Sequence, residues 1–249
     1  MAQPSANATP PDWRHPNDYS YTAALSAERW AWEFLRRNPE YRHDWQAFIT
    51  RWCSLEADYG KAPNRDFSRW KNDPRAYVSE QDTDLICPDE LGAACIIEDN
   101  KILIECWMGA KWGFYKFPLD PDYAAPDVPN ELLWREQELD LASIAAEAQQ
   151  HPAAAHLATL HFDLRLSLPE QLEAARLQLG SLRQARQKQG KLKVRIRDNS
   201  HDWTLCLRYL DAIQAGVDSA TISAVLQADV SAQANALMQC GYRKILLMK

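Results

Sequence analysis

The hydrophobic pattern changes period along the chain, and each change predicts a different element. After Ser26, which is suited to cap a helix, AERWAWEFLRRN places apolar groups at helical spacing, and Asn38-Pro39 terminates or interrupts the run. From Glu40 to about Asp58, Trp45, Phe48, Ile49 and Trp52 recur at three- and four-residue steps and share one helical face, until Gly60 and Pro63 end it. Residues 60–90 are irregular and proline-punctuated. In AACIIEDNKILIECW, two apolar runs flank a polar EDNK turn, which predicts a β-hairpin. A further short strand is expected over Trp112 to Phe117, followed by the connector-like PLDPDYAAPDVPN.

Strict alternation marks the second half. In HLATLHFDLRLS, Leu160, Phe162, Leu164 and Leu166 alternate with polar positions, as in a half-buried strand. Ser167 and Glu170 have capping-box spacing with Pro169 in the first turn, and Leu172, Ala175, Leu179 and Leu182 line one face of the helix that follows. KLKVRIR alternates again, with cations on one side and Leu192, Val194 and Ile196 on the other, which predicts a strand. Farther on, Leu207, Leu210 and Ile213 form a helical stripe. Ala215-Gly216-Val217 makes a turn, and Asp218 or Ser219 caps a second helix through Ile222, Val225 and Leu226. This order fits the front of a helix-turn-helix unit or a generic αα-hairpin, and spacing does not separate the two. A short helix from Ser231 to Gln239 follows, and Tyr242, Ile245 and Leu247 are expected to fold back on the core. The expected fold is α+β: an aromatic-rich helical and β-hairpin amino-terminal module, then a strand-helix and helix-turn-helix-like carboxyl-terminal module.

Charge sharpens that division. The chain has 249 residues and a formal balance of -6, with 28 Lys+Arg against 34 Asp+Glu. Residues 1–150 hold 15 basic and 26 acidic side chains, net -11, whereas residues 151–249 hold 13 and 8, net +5. The expected arrangement is a loose tail over 1–12, an acidic Trp-rich domain over 13–120, a connector over 121–154 and a basic domain over 155–249. The opposite signs suggest that the acidic half masks the basic half in the free protein. Nine of the ten tryptophans precede position 135. They read first as the core of a small helical unit, and second as a ring-stacking platform.

Several function classes recede. No stretch of 18 apolar residues suggests a membrane span, and MAQPSANATPPDW lacks the basic start and apolar run of a secretion signal. Cytoplasmic residence is expected, with nucleoid association when bound to DNA. The six cysteines, Cys53, Cys87, Cys95, Cys106, Cys206 and Cys240, contain no CxxC pair and read as reduced thiols. No GxSxG, HExxH, Walker or dinucleotide signature occurs. His151, His156 and His161 are spaced by five, which is poor ligand geometry. Asp163 has no partner carboxylate at useful spacing, and Asp211 reads as an i,i+3 partner of Arg208. No catalytic site, metal or cofactor is expected.

Double-stranded DNA is the expected partner. From Arg176 to Arg197 there are eight basic residues and no acidic one, including Arg183, Arg186, Lys188, Lys191, Lys193, Arg195 and Arg197. Cations on one face gain by releasing counterions from a duplex backbone; a solubilising surface is the competing reading. Gln233 and Asn235, with Gln239, could read base edges. Arg243 and Lys244 are candidate phosphate contacts.

HFDLRLSLPEQLEAARLQL, followed by LRYLDAIQAGVDSATISAVL and GYRKILL, resembles the DNA-binding domain of the RovC-like family, associated with type VI secretion activators and regulators of integrative-element transfer. PDWRHPNDYSYTAALSAERWAWEFLRRNPEYR with KWGFYKFPLDPDYAAPDVP resembles the transcriptional regulator-like domain often joined to it. The family pattern matches at Phe162, Asp163, Leu164, Leu210, Asp211, Ala212, Gly216, Ile222, Leu226, Gly241, Tyr242 and Arg243, most of which read as fold positions. The resemblance implies a bacterial DNA-binding transcription regulator, an activator of secretion or mobile-element genes. Its alternative is a protein-binding modulator docking through the aromatic acidic half, and an enzyme is the third reading. Paired half-sites are common for such modules, so a homo-oligomer is compatible with it. One departure stands out: the family's arginine-rich stretch before GYR is replaced here by the shorter, cation-free ADVSAQANALMQC.

Overall fold

A computed structural model describes residues 11–78, 96–97, 101–115, 117–125, 132–137 and 141–248. The expected tail up to residue 10, Cys87, Cys95 and the Glu98–Asn100 turn lie outside the described residues. A 3-10 segment, Pro16–Ala24, precedes helices α1 (Ala27–Leu35) and α2 (Pro39–Tyr59). The local signals account for both helices. Ser26 Oγ accepts from Arg29 N at 3.4 Å, and Asn38 Oδ1 accepts from Glu40 N and Tyr41 N at 2.8 and 3.3 Å. Asn38-Pro39 thus both ends one helix and starts the next.

After α3 (Phe67–Trp70) comes a small antiparallel sheet of β1 (Tyr77–Val78), β2 (Ile96–Ile97) and β3 (Lys101–Leu103), in the order β1-β3-β2. Ile96 opposes Ile102 and Ile97 opposes Lys101, so the two strands pair as the expected hairpin requires. The second apolar run does not continue as a strand. It becomes α4 (Ile104–Trp112), which Gly113 ends at φ 88°. The strand expected over Trp112 to Phe117 is therefore corrected to a helix end and a single bridge from Phe114 to Trp134.

Farther along lie α5 (Leu141–Gln150), α6 (Leu168–Lys188), α7 (Ile196–Gln214), α8 (Ser219–Leu226), α9 (Ser231–Ala236) and α10 (Tyr242–Leu246). A π turn, Leu237–Gly241, joins the last two. Neither alternating segment is a strand. At 160–166 the chain turns: Leu166 N donates to Asp163 O, and Arg165 N donates to Asp163 Oδ1, both at 3.0 Å. Gln171 then takes the place of a strand neighbour. Its Oε1 accepts from Asp163 N and its Nε2 donates to Asp163 O, each at 2.9 Å. Ser167 makes no side-chain cap bond, so the capping box does not form. Residues 191–197 do alternate between exposed and half-buried, yet among the described residues they pair with no strand, and they run straight into α7. Alternation there marks an extended segment lying on a surface.

One hydrophobic cluster spans the charge boundary near residue 150. It unites Trp30, Trp32, Phe34, Tyr41, Trp112 and Phe114 with Trp203, Leu207, Leu210, Ile222, Ala234, Tyr242 and Ile245. Trp30 meets Trp203 edge-on with centroids 5.3 Å apart, and Trp134 stacks on Phe114 at 4.3 Å. The tryptophans are core, as their spacing suggested: all but Trp107 are buried.

Candidate nucleic-acid interface

A buried ionic network fixes α7, the long helix of the carboxyl-terminal unit. Arg37 on α1's carboxyl-terminal extension donates from Nε and Nη2 to the two oxygens of Asp211 at 2.6 and 2.9 Å. Tyr19 OH donates to Asp211 Oδ2 at 2.6 Å. Arg37 also pairs with Glu33, which Arg36 Nη2 reaches at 2.9 Å and to which Tyr21 OH donates at 2.8 Å. Burial alone would raise the Glu33 carboxyl, but the guanidiniums of Arg37 and Arg36 outweigh it and hold the group at about 2. Burial, then Glu33's charge, pushes the Tyr21 hydroxyl up to about 12.

The expected Arg208–Asp211 pair does not form. Asp211's oxygens are taken by Arg37 and Tyr19, and Arg208 instead donates to the carbonyls of Trp13 and Arg14 at 2.7 and 3.1 Å. The Asp, Tyr and Gly noted in the resemblance are thereby explained as fold positions. Tyr242 is buried with its OH donating to Trp112 O at 3.2 Å, and a Cβ on Gly241 would come within 2.8 Å of Ala236 O.

The candidate DNA contacts divide into groups. Arg183, Lys188 and Lys191 are exposed, and among the described residues their side chains make no ion pair or hydrogen bond. Arg186 is not free: its Nη1 donates to Ala155 O and Leu157 O at 2.8 and 2.6 Å and clamps the preceding loop onto α6. Lys193 pairs with Asp202, and Arg195 Nε lies 3.1 Å from Asp198 Oδ2. Arg197, 72% exposed, lies 4.0 Å from the same carboxylate. The hydrogen bond from Arg195 leads the effects that hold Asp198 below its ordinary range. Asp198 and Asp202, on the first turns of α7, are thus local counter-charges to the cationic segment. The i,i+3 spacing of Arg195 and Asp198 was visible in the sequence. The Lys193–Asp202 pair needed the turn into α7.

The α8–α9 pair carries no cation, and its charged side chains are the exposed Asp218 and Asp229. Gln233 and Asn235 are exposed on α9, which is six residues long and carries no cation. Asp229 stands at its start, accepting from Ser231 N and Oγ at 3.1 and 2.7 Å. Arg243 Nη2 donates to Lys111 O at 2.7 Å, so this expected phosphate contact is engaged with the core. Lys244 is exposed, and its Nζ lies 3.4 Å from Glu147 Oε2. Asp218 caps α8 by accepting from Thr221 N at 3.0 Å, and Gly216 turns the chain at φ 80°. Ile213 and Val225, expected on the packed faces, are exposed.

Residues 12–70 match the family model of the proteobacterial transcriptional regulator-like domain. No curated protein and no solved structure matches the chain. The family match supports a regulatory role in general and points to a non-enzymatic regulator. It covers the segment that supplies Tyr19, Arg37 and Asn38 to the carboxyl-terminal helices. Among the described residues, no helix is long and apolar enough to cross a membrane, and no group of three His, Cys, Asp or Glu is disposed to hold a metal ion.

Proposed function

We propose that this protein is a transcription regulator that binds duplex DNA through the end of α6, the 189–195 segment and the first turn of α7. The regulator-like match over 12–70 supports the role, and the exposed cations Arg183, Lys188, Lys191, Lys193, Arg195 and Arg197 carry the placement. Phosphate contact through this run gives affinity that falls with salt, at a slope of roughly 0.9 per phosphate neutralised. The cation-free α9 serves as packing for α7 more than as a reading helix. The resemblance to RovC-like proteins supports secretion or mobile-element genes as the targets, and activation as the direction of control.

The test is duplex binding by fluorescence anisotropy across ionic strength. Changing Lys191, Lys193, Arg195 and Arg197 together to alanine is expected to weaken binding by at least tenfold and to flatten its salt dependence. An unchanged curve removes the interface from this segment. A second reading, a modulator that binds another regulator, is favoured by Asp229 at the start of α9 and by the absence of any cation on α8 and α9. It predicts a stoichiometric protein partner and no retardation of any DNA fragment.

A further inference from the structure

Helix α6 is 21 residues long, and none of its side chains is buried. At 1.5 Å per residue it extends about 31 Å. Leu168, Leu172, Ala175, Leu179 and Leu182 recur along it at alternating steps of four and three residues, the spacing of a helix-pairing seam. Leu172 is 58% exposed, and Leu164 and Leu166, just before the helix, are 82% and 61% exposed. Ala175 and Leu182 are half-covered, the latter where the Arg186-clamped loop passes over α6. An apolar stripe of this length is unusual on a free surface.

Charge along the helix selects the occupant. Glu170 and Glu173 lie in its first turns, whereas Arg183, Arg186 and Lys188 lie in its last two. A parallel second helix would set acid beside acid and base beside base. An antiparallel one sets the acidic end of each helix against the basic end of the other, and opposes the two macrodipoles favourably. A helix that complements itself in this way suits a two-fold contact, in which the same patch serves both partners. We infer that α6 pairs antiparallel with α6 of a second copy of this chain, seaming the Leu168–Leu182 stripe of each protomer. The leucine seam does not rest on the DNA-binding proposal, although Arg183 and Lys188 at the basic end of α6 figure in both.

The measurement is sedimentation equilibrium of the purified full-length protein between about 1 and 200 μM, a range suited to an interface of modest size. The mass is expected to rise from 28.5 kDa to twice that value. The Leu168→Glu/Leu172→Glu variant is expected to stay at the monomer mass with an unchanged melting temperature, since neither side chain is buried. Orientation is read by disulfide crosslinking in a Cys53→Ser/Cys240→Ser background, which also serves as the control. In antiparallel seams Ala175 lies within about 6 Å, along the axis, of its own copy, and Leu168 at least about 16 Å from its copy. Ala175→Cys is therefore expected to crosslink and Leu168→Cys not to. A monomeric wild type, a dimer that survives the double variant, or any other crosslinking pattern overturns the inference.

Discussion

The interlocked core and the α6 segment are built from the same kinds of residue and put them to opposite uses. In the core, Trp30, Trp32, Leu207 and Tyr242 lose all or nearly all contact with solvent, and ionic groups such as Glu33 and Arg37 are drawn in with their partners. In α6, leucines at helical spacing remain on the surface, and the ion pair of Glu173 with Arg176 is exposed at both ends. The core is held by contacts between segments far apart in the chain. α6 is held by its own backbone, the Gln171 clamp and Arg186. A helical stripe is therefore only half of a packing statement, and the other half is a partner face. α1 and α7 supply such faces to each other.

Breaking the core is expected to give the largest effects. Asp211→Ala leaves Arg37 buried beside Glu33 alone and strands the Tyr19 hydroxyl, so a loss of about 3–5 kcal/mol in denaturant unfolding is expected. Asp198→Asn, at the exposed edge, should leave unfolding unchanged within about 0.5 kcal/mol. Comparable losses for the two would erase the contrast. Trp30→Ala removes one face of the Trp30–Trp203 contact and should cost about 3–5 kcal/mol.

Acid acts on the core next. Glu33 sits near 2, against an ordinary value of 4.5, so the folded state favours its charged form. That contribution, on the order of 3 kcal/mol, is fully present above about pH 4.5 and is lost as pH falls towards 2. Glu33→Gln should accordingly flatten the acid limb of a melting-temperature profile while lowering its plateau. An acid limb as steep as in wild type would place the sensitive carboxylate elsewhere.

The smallest effects belong to the cationic edge. Asp198→Asn with Asp202→Asn removes the counter-charges of Lys193, Arg195 and Arg197, and should tighten duplex binding several-fold at low salt. Glu173→Gln, which frees Arg176 farther along α6, controls for charge alone and should do less. This pair also redirects the masking idea. The carboxylates that meet these cations come from α7 itself, and deleting residues 1–150 would remove most of the shared core, so charge variants test masking more cleanly than truncation.

Local chemistry was legible in the sequence wherever one side chain decides the outcome. Ser26 and Asp218 cap the helices their positions suggested, Asn38-Pro39 ends α1 as expected, and the two strands of the expected hairpin pair. Alternation was legible but ambiguous, because period two describes a paired strand and an unpaired extended segment equally well. At 160–166 an Asp-centred turn overrode it, and at 191–197 no neighbouring strand exists among the described residues. Asp211 shows why the rest was hidden. Its i,i+3 neighbour Arg208 was the visible partner, whereas Arg37 lies 174 residues away in sequence and becomes a neighbour only through the fold. The candidate contacts separate in the same way: exposure of Lys191 follows from its local pattern, while capture of Arg243 by Lys111 does not.

The Arg37–Asp211 separation also sets a clock. At about 5–20 residues per second on the ribosome, Asp211 is made roughly 9–35 s after Arg37. Throughout that interval α1 and α2 can form their capped turns, yet the Trp30 ring and the Arg37 guanidinium still await α7. Until α7 emerges, newly made protein thus carries an aromatic, charged surface open to chaperones, and that surface closes only as α7 and the helices after it pack onto it.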